Sequence, residues 1–308
     1  LCCQAVWADQ RTLIPVGKAV GIKLFADGVL VVSTSETDPC PARDCGIREG
    51  DLIVSCNGEK VTSTEDLQAL LQATGGQPAA IGLRRGGKTL DVTAVPVQGE
   101  DGSWRLGAWT RDSMAGVGTL TFYDPDTGAY GALGHGITDT DTAQLMPLSS
   151  GSIMETSVKA VKKGEPGQLK GDFTAQHDVG TVSANTTGGI FGTVAEGDFV
   201  SGTALPVAQR SQVTTGPATI LSTVSGDDTR AYQVEIVRLC PMNRDGRDLL
   251  LKVTDPQLLE TTGGIVQGMS GSPIIQNGRF VGAVTHVLVN DPSQGYGILL
   301  EHMLEAVG

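Results

Sequence analysis

Beyond residue 104, the chain is a succession of short apolar segments, separated by glycine-containing turns about every ten residues. Examples are "AGVGTLTFYD", "YQVEIVRL" and "RFVGAVTHVLV", and no long helical period appears before the C-terminal "LLEHMLEAVG". Glycine makes up 42 of the 308 residues, so tight turns are available throughout. This pattern predicts a mainly β domain, a barrel or a sandwich.

The part before this region has a mixed α+β pattern. Residues 20–33 predict two β segments joined by a turn at Asp27-Gly28, and Asn57-Gly58 predicts a hairpin turn. The stretch "TSTEDLQALLQAT", with Thr62 or Ser63 as N-cap, predicts an amphipathic helix. The polar "VQGEDGSW" is typical of a hinge. We therefore predict an N-terminal segment (1–17), an α+β domain (18–97), a linker (98–103) and a β domain (104–308).

Composition limits the classes of partner. The net charge of −12 argues against nucleic acid, whose phosphates require a basic face. No apolar run is long enough to span a membrane. The first residues, "LCCQAVWADQ", are either the remnant of a trimmed signal or anchor segment or a frayed terminus.

The six cysteines include no C-x-x-C pair, and no H-E-x-x-H motif occurs, so we expect neither a metal nor another cofactor. Cys40 and Cys45 could form a disulfide in an oxidising compartment, but buried free thiols are the expected state.

The stretch "VQGMSGSPIIQNG" (266–278) is either a plain turn before a hairpin or a loop that presents a nucleophile. In the second interpretation Ser270 attacks, and the backbone N–H groups of Gly268 and Ser270 form an oxyanion hole. Gly271 would then remove a side chain where substrate approaches, and Asn277-Gly278 would close a hairpin beside the site.

A serine nucleophile needs a base, and the sequence offers four histidines. His135 lies between two glycines at the end of a β segment, where an imidazole is uncrowded, and is the predicted general base. His286, inside "VGAVTHVLV", is predicted to be a core or strand-face residue. His177 and His302 are predicted to be solvated surface groups.

Two family resemblances follow from these motifs. "PARDCGIREGDLIVSCNGEKV" and the helix after it resemble a PDZ domain of the type attached to secreted bacterial proteases, although Cys45 replaces a usual alanine. This implies a peptide groove between the helix at 64–73 and the strand that contains Val20, Gly21, Ile22 and Lys23, with peptide C-termini as ligands. "GMSGSP" resembles the serine motif of chymotrypsin-like proteases, which implies a double β-barrel.

The longer stretches "GVGTLTFYDPDTGAYGALGHGITD" and "TDPQLLETTGGIVQGMSGSPIIQNGRFVGAVTHVLVNDPSQGYGI" resemble the stage IV sporulation protein B peptidases of endospore-forming bacteria. This resemblance implies a catalytic triad of Ser270, His135 and Asp255. It also implies secretion across the forespore membrane into the intermembrane space, close to a membrane. There the enzyme would cut the extracytoplasmic part of a membrane regulatory protein, activating an intramembrane protease and a late sigma factor. Family members are also said to cleave themselves.

The identity of the triad acid stays open. Asp255 precedes Pro256, and Asp-Pro commonly caps a turn. In two-barrel proteases the acid generally lies in the first barrel, which favours one of four other aspartates: Asp139, Asp172, Asp178 and Asp198.

Two other function classes compete with the peptidase. In the first, the PDZ groove is the function and the barrels are a non-catalytic scaffold. In the second, Ser270, Asp291 and His302 follow the chain order of an α/β-hydrolase esterase. That fold, however, needs a glycine where Ser272 stands and a helix where Pro273 begins a strand.

Overall fold

The computed structural model of the chain describes residues 11–162, 167–172, 177–194, 199–240 and 245–307. These residues form mainly β-structure. The strands, in chain order, are β1 (Thr12–Pro15), β2 (Ala19–Thr34), β3 (Leu52–Cys56), β4 (Glu59–Lys60), β5 (Ala79–Arg85), β6 (Lys88–Ala94), β7 (Val97–Gln98), β8 (Trp104–Arg105), β9 (Ala108–Tyr123), β10 (Ala129–Ala132), β11 (Ser150–Glu155), β12 (Ser157–Lys162), β13 (Gln168–Asp172), β14 (Asp178–Thr186), β15 (Gly189–Val194), β16 (Leu205–Pro206), β17 (Gly216–Ser222), β18 (Arg230–Leu239), β19 (Leu249–Val253), β20 (Pro273–Gln276), β21 (Arg279–Val287) and β22 (Gln294–Leu299). The α-helices are α1 (Pro41–Asp44), α2 (Thr64–Ala73), α3 (Pro256–Thr262) and α4 (Leu300–Glu305), and a 3-10 turn spans Arg210–Gln212.

The chain divides into two compact units. One, the barrel unit, is formed by residues 1–23, 115–137 and 151–308, and the other, the α+β unit, by residues 24–114 and 138–150. This division differs from the predicted boundaries, because residues 12–23 belong with the barrels, and residues 104–114 and 138–150 belong with the α+β unit. The predicted linker is part of an ordered hairpin, since β7 pairs with β8 around it and Gly99 N donates to Ser103 O.

The predicted double barrel is confirmed. The first barrel follows the strand order β9-β10-β15-β14-β11-β2 and closes through pairing of β2 with β9. The second follows the order β17-β18-β19-β22-β21-β20 and is also closed. Closure removes free strand edges, which explains how so many short strands form a stable sheet system.

Alternating side chains build the interior of the second barrel. In β18, Tyr232, Val234 and Ile236 are buried, and the residues between them are exposed. The hairpin of β20 and β21 turns at Asn277-Gly278 with φ of 52° and 71°, as predicted from the Asn-Gly pair.

The short helix α4 packs on both barrels. Leu300 and Met303 are fully buried in one apolar cluster with Phe122 and Phe191 of the first barrel and Phe280 of the second. The helix therefore helps to fix the two barrels relative to each other inside the barrel unit.

In the α+β unit, β3, β5 and β6 form an antiparallel sheet, and the predicted amphipathic helix is α2. Ser63 is its N-cap, with Oγ accepting from Asp66 N at 3.0 Å, while Leu67 and Leu71 are buried. Asn57-Gly58 forms the predicted turn, with φ of 51° and 82°.

The turn predicted at Asp27-Gly28 is wrong, because β2 runs through it as one strand of 16 residues. Gly28 instead allows a close approach of β3. A β-carbon there would lie 2.6 Å from the carbonyl oxygen of Ile53.

Cys40 and Cys45 are free thiols, and their Sγ atoms donate to the carbonyl oxygens of Gly107 and Ala42, respectively, both at 3.3 Å. Cys2 and Cys3, with the possible signal remnant around them, lie outside the described residues. In the described ranges, every helix is too short or too polar to cross a bilayer.

Candidate active site

Ser270 lies in the loop between α3 and β20, and this loop is held from two sides. On the first barrel, Thr119 of β9 donates through Oγ1 to Gly268 O at 2.7 Å and through its amide to Ser270 O at 3.1 Å. On the second barrel, Gly271 N donates to Val284 O of β21 at 2.7 Å. The serine is thus positioned where the two barrels meet within the barrel unit.

Gly271 has a different role from the one predicted. A β-carbon at this position, where φ is +99°, would lie 2.1 Å from Thr119 O and 2.6 Å from Leu133 N. The glycine therefore lets the serine loop pack directly against the first barrel, rather than clearing a path for substrate.

The serine loop has the backbone that an oxyanion hole requires. Gly268 has a φ of +100°, which favours glycine. Within the described residues, the amides of Gly268 and Ser270 donate to no protein acceptor. Both N–H groups are therefore free to donate to another acceptor, and the oxyanion hole of Gly268 and Ser270 stays a prediction.

His135 follows β10 and is close to the serine loop. Leu133, two residues earlier, is the residue that contacts Gly271. The His135 ring lies 5.3 Å from the ring of His286, and the residue before His286, Thr285, accepts a hydrogen bond from Ser270 Oγ at 2.7 Å. The structure thus brings the predicted nucleophile and base to one site, although Ser270 Oγ points to Thr285 rather than to His135.

The imidazole of His135 has a backbone partner. Nδ1 lies 2.8 Å from Gly136 O, and a carbonyl oxygen only accepts hydrogen bonds. In the neutral ring the proton is therefore on Nδ1, which leaves the lone pair of Nε2 free to take a proton. Burial lowers the pKa of His135, and the bond to Gly136 opposes this shift.

Asn185, which the sequence analysis missed, fixes the peptide that orients this imidazole. Its Oδ1 accepts from Ile137 N and its Nδ2 donates to Ile137 O, both at 2.9 Å. The peptide between Gly136 and Ile137 is thus held in place. Asn185 is the last but one residue of β14, just before the turn at Thr187-Gly188, and its polar side chain near a strand end was the available signal.

His286 was predicted to be a core or strand-face residue, and the structure places it in the site. Burial, and then the proximity of His135, lower its pKa to about 4. Its Nδ1 is buried and has no hydrogen-bond partner among the described residues. His286 is therefore a neutral imidazole beside the predicted base at neutral pH.

Asp255 is not bonded to His135. Its Oδ1 accepts from the amides of Gln257 and Leu258 at 2.9 and 3.0 Å, and its Oδ2 accepts from Gln233 N at 3.2 Å. Asp255 is the N-cap of α3, which is the usual role of an aspartate before proline. The assignment of Asp255 as the triad acid therefore has no support in the geometry.

Two of the rival aspartates, Asp139 and Asp178, do not contact His135 either. Asp139 is paired with Arg111 and Asp141 N in the α+β unit, and Asp178 is exposed at the start of β14. The side chain of Asp172 and all of Asp198 lie outside the described residues. In the described part of the chain, the partner of His135 Nδ1 is thus a carbonyl and not a carboxylate.

A groove in the α+β unit lies beside the predicted helix but not beside the predicted strand. A groove of about 390 Å³ runs beside α2, between Leu67, Gln68 and Leu71 of the helix and the segment 105–110. Gln68 Nε2 donates to Trp104 O at 3.2 Å, and Trp104 N donates to Gln72 Oε1 at 3.1 Å, so this segment is fixed against the helix.

The predicted groove strand belongs to the barrel unit instead. Val20, Gly21 and Ile22 are buried there, and the Cδ1 atom of Ile22 lies 2.8 Å from the position of a β-carbon on Gly118 of β9. These residues, with Lys23, are part of the first barrel because β2 passes from the barrel into the α+β unit.

The two histidines that were predicted to lie on the surface, His177 and His302, differ from each other in their surroundings. His177 is exposed, as predicted, whereas His302 is largely buried and paired with Asp248, Nδ1 to Oδ2, at 2.9 Å. Among the described residues, no group of three or more His, Cys, Asp or Glu side chains is placed to hold a metal ion.

Comparison with known proteins identifies two regions. A PDZ domain family matches residues 33–85, and the SpoIVB peptidase S55 family matches residues 102–304. The zinc metalloprotease RasP of Geobacillus kaustophilus is 29% identical over 103 residues, or 26% of this chain and 24% of that protein. The chain spans between 15% and 24% of the length of the curated relatives it matches.

Two solved structures share parts of the fold at low similarity. The Rv3671c protease from M. tuberculosis, in its active form, is 15% identical with a TM-score of 0.37, covering 63% of this chain and 73% of that chain. The PDZ domain of the SdrC-like protein from Listeria monocytogenes is 24% identical with a TM-score of 0.25, covering 27% of this chain and 87% of that chain. The peptidase family matches more than half of the residues of this chain. The chain therefore belongs to the SpoIVB peptidase S55 family, and it carries a PDZ domain in addition.

Proposed function

We propose that the protein is a serine endopeptidase in which Ser270 is the nucleophile and His135 the general base. One observation supports this proposal above all: the serine loop combines unpaired amides with a position next to the segment that leads to His135. Ser270 sits on a glycine loop whose amides at Gly268 and Ser270 are unpaired, and this loop packs on the residues just before His135.

The first step is the transfer of the serine proton. In this step Ser270 Oγ exchanges its bond to Thr285 O for one to the lone pair of His135 Nε2. The attack on the peptide carbonyl then forms a tetrahedral intermediate, whose oxyanion accepts from the amides of Gly268 and Ser270.

The proton is then passed to the leaving group. The imidazolium of His135 gives it to the leaving amine, and the acyl group stays bonded to Ser270. A water molecule activated by His135 then attacks this acyl-enzyme and releases the product. During both halves Nδ1–H of His135 donates to Gly136 O, so the carbonyl takes the orienting role that a carboxylate has in a triad.

Family membership supports a proposal on the substrate. The protein would act in sporulation signalling, cleaving the extracytoplasmic part of a membrane regulatory protein, after secretion across the forespore membrane into the intermembrane space. That cut would activate an intramembrane protease and a late sigma factor. The groove beside α2, about 390 Å³ in volume, would bind the C-terminal peptide of this partner or of the protein itself after self-cleavage.

A non-catalytic PDZ scaffold is the alternative, and one observation favours it. Ser270 Oγ donates to a backbone carbonyl, and no carboxylate contacts His135 among the described residues. In this alternative the groove beside α2 is functional and the barrels only support it.

Reaction with a fluorophosphonate distinguishes the two proposals. We expect the wild-type chain to be labelled, Ser270→Ala to lose the label, and Ser272→Ala to keep it, because the Ser272 hydroxyl is buried and bonded to Ser222 Oγ at 3.0 Å. Cleavage of a peptide library should show the same dependence. Equal labelling of wild type and Ser270→Ala, or no labelling of a folded wild type, would support the scaffold.

A further inference from the structure

The two-stranded sheet of β12 and β13 connects the first barrel to the serine loop. In the chain it lies between β11 and β14, which are strands of the first barrel. Val158 of β12 exchanges both backbone hydrogen bonds with Gly226, between β17 and β18 of the second barrel, each at 2.9 Å. Val158 and Leu169 are buried in the same apolar cluster as Val266 and Met269 of the serine loop. The sheet is therefore docked on the second barrel beside Ser270.

One end of β13 binds the backbone of the serine loop directly. Leu169 N donates to Gln267 O at 2.8 Å, and Gln267 N donates to Gly167 O at 2.9 Å. The Leu169 side chain also lies against the next residue of the loop, because a β-carbon on Gly268 would lie 3.0 Å from the Leu169 β-carbon. Both backbone groups of Gln267 are thus bonded to one segment, immediately before an amide of the predicted oxyanion hole.

The peptide that joins Gln267 to Gly268 is the central peptide of a β-turn. Met269 N donates to Val266 O at 3.1 Å, Gly268 has a φ of +100°, and Gln267 does not have a positive φ. These values define a type II turn with glycine as its third residue. A type I turn closes with the same hydrogen bond but has its central peptide rotated by about 180°. Because glycine accepts the φ of either turn, the local sequence does not select between them.

The orientation of this peptide decides whether the Gly268 amide can serve in an oxyanion hole. The carbonyl and the amide of a trans peptide point in opposite directions. Since Gln267 O points to Leu169 N, the N–H of Gly268 points away from β13, and it donates to no acceptor among the described residues. In the type I turn the bond from Leu169 would be lost, and Gln267 O would take the place of that N–H. A carbonyl oxygen would then face the developing oxyanion and repel it.

We propose that Leu169 is a positioning residue of the peptidase. Its backbone N–H holds the peptide between Gln267 and Gly268 in the type II turn and so keeps the Gly268 amide directed into the oxyanion hole. Leu169 acts through Gly268 and is not itself a donor to the oxyanion. This inference rests on the proposed function, because the direction of that amide affects the reaction only if Ser270 is a nucleophile.

Removal of this single donor from the full chain tests the proposal. The α-hydroxy acid analogue of leucine, incorporated at Leu169, replaces the amide N–H by an ester oxygen and keeps the side chain. The matched control is the corresponding exchange at Val158, whose amide donates to Gly226 O in the same two-stranded sheet but away from the serine loop. The probe is a fluorophosphonate, titrated to give its maximal rate of inactivation and its half-saturating concentration.

We expect the exchange at Leu169 to lower the maximal rate by about tenfold, because the ester oxygen lacks the donor and also repels Gln267 O. Complete loss of one oxyanion donor, at about 10² to 10³, sets the upper limit. The half-saturating concentration should change little, and the exchange at Val158 should leave both values unchanged. A wild-type rate after the exchange at Leu169, or an equal loss of rate in the two exchanges, would overturn the proposal.

Leu169→Ala and Val158→Ala give a second comparison if an ester variant does not fold. Each removes buried apolar atoms from the same cluster, so both should lower the melting temperature. Only Leu169→Ala, which loosens β13 from the serine loop, should also lower the maximal rate of inactivation. Equal rates in the two variants would contradict the positioning role.

Amide hydrogen exchange in Ser270→Ala separates a failure of this inference from a failure of the proposed function. The Leu169 amide should exchange slowly, because it is bonded to Gln267 O. Fast exchange would refute the positioning role even if the wild type is labelled. Slow exchange together with a folded wild type that is not labelled would refute the proposed function, and the positioning role with it.

Discussion

The lowered pKa of His286 predicts a defined loss of stability in acid. In the unfolded chain this imidazole titrates near 6.5, and in the folded chain near 4. A histidine with a lowered folded-state pKa is protonated more readily when unfolded, so its contribution to stability is complete above about pH 6.5 and is lost as the pH falls toward 4.

The magnitude follows from the two pKa values. Between about pH 7.5 and pH 5, one group shifted from 6.5 to about 4 removes roughly 2 kcal/mol from the free energy of unfolding. Other groups titrate over the same range, His135 among them, so the contribution of His286 must be isolated with a variant. His286→Gln has no titrating group at this position and should lack this part of the pH dependence.

Urea unfolding followed by far-UV circular dichroism measures the difference. Ser270→Ala serves as the background, because it lacks the proposed nucleophile, and it is compared with the double variant Ser270→Ala/His286→Gln at both pH values. We expect the free energy of unfolding to fall by about 2 kcal/mol more in the background than in the double variant. If both lose the same amount, His286 has an ordinary pKa, and the packing against His135 described above is wrong.

Four further predictions concern the serine and histidine loops. Gly271→Ala places a β-carbon 2.1 Å from Thr119 O and should abolish fluorophosphonate labelling and lower the melting temperature; labelling at the wild-type rate would show that the loop does not pack there. Since burial lowers the pKa of His135, the acid limb of kcat/KM should have its midpoint below pH 6.5, and a midpoint above that value would contradict the buried site. Asn185→Ala frees the peptide after Gly136 and should lower kcat with little change in KM, whereas an equal change in both would indicate general damage to the fold. Asp255→Asn keeps a capping oxygen and should retain most of the turnover. Asp255→Ala removes the N-cap of α3 and should lower the free energy of unfolding by about 1 kcal/mol. Strong loss of turnover in a folded Asp255→Asn variant would restore Asp255 to the triad.

Features that depend on neighbouring residues in the chain were predictable. The turns at Asn57-Gly58 and Asn277-Gly278 need left-handed backbone, which the Asn-Gly pair accepts, and both occur. The helix α2 begins after Ser63 because that hydroxyl accepts from Asp66 N. The period-two pattern of strands such as β18 likewise indicated a barrel or a sandwich, and the resemblance to chymotrypsin-like proteases favoured the barrel.

Features that depend on contacts between distant segments were not predictable. Gly28 and Gly271 look like turn glycines in the sequence, but each makes room for a strand or loop from another part of the chain. The groove was misplaced for the same reason, since the segment 105–110 follows the predicted linker and packs on α2 only in the fold. His286 lies in a largely apolar stretch of sequence, and its ring comes within 5.3 Å of the His135 ring only in the fold.

The orienting group of His135 has a consequence for the rate of the proposed reaction. A carboxylate beside Nδ1 would stabilise the imidazolium that forms when Ser270 loses its proton, and would raise the pKa of the base. Gly136 O orients the ring by accepting a hydrogen bond from Nδ1, but it carries no net charge, and burial keeps the pKa of His135 low. The neighbouring His286 adds no compensation, because it is a neutral imidazole and has no negative charge to stabilise the imidazolium. The base is therefore correctly oriented and in the right tautomer, but weak.

Most of the catalysis in such a site must come from the oxyanion hole and from binding. In serine proteases that have lost a triad residue, these two contributions still accelerate the reaction about 10³ to 10⁴-fold over the uncatalysed rate. Slow turnover on short peptides and a strong dependence on substrate held elsewhere on the protein follow from this arrangement.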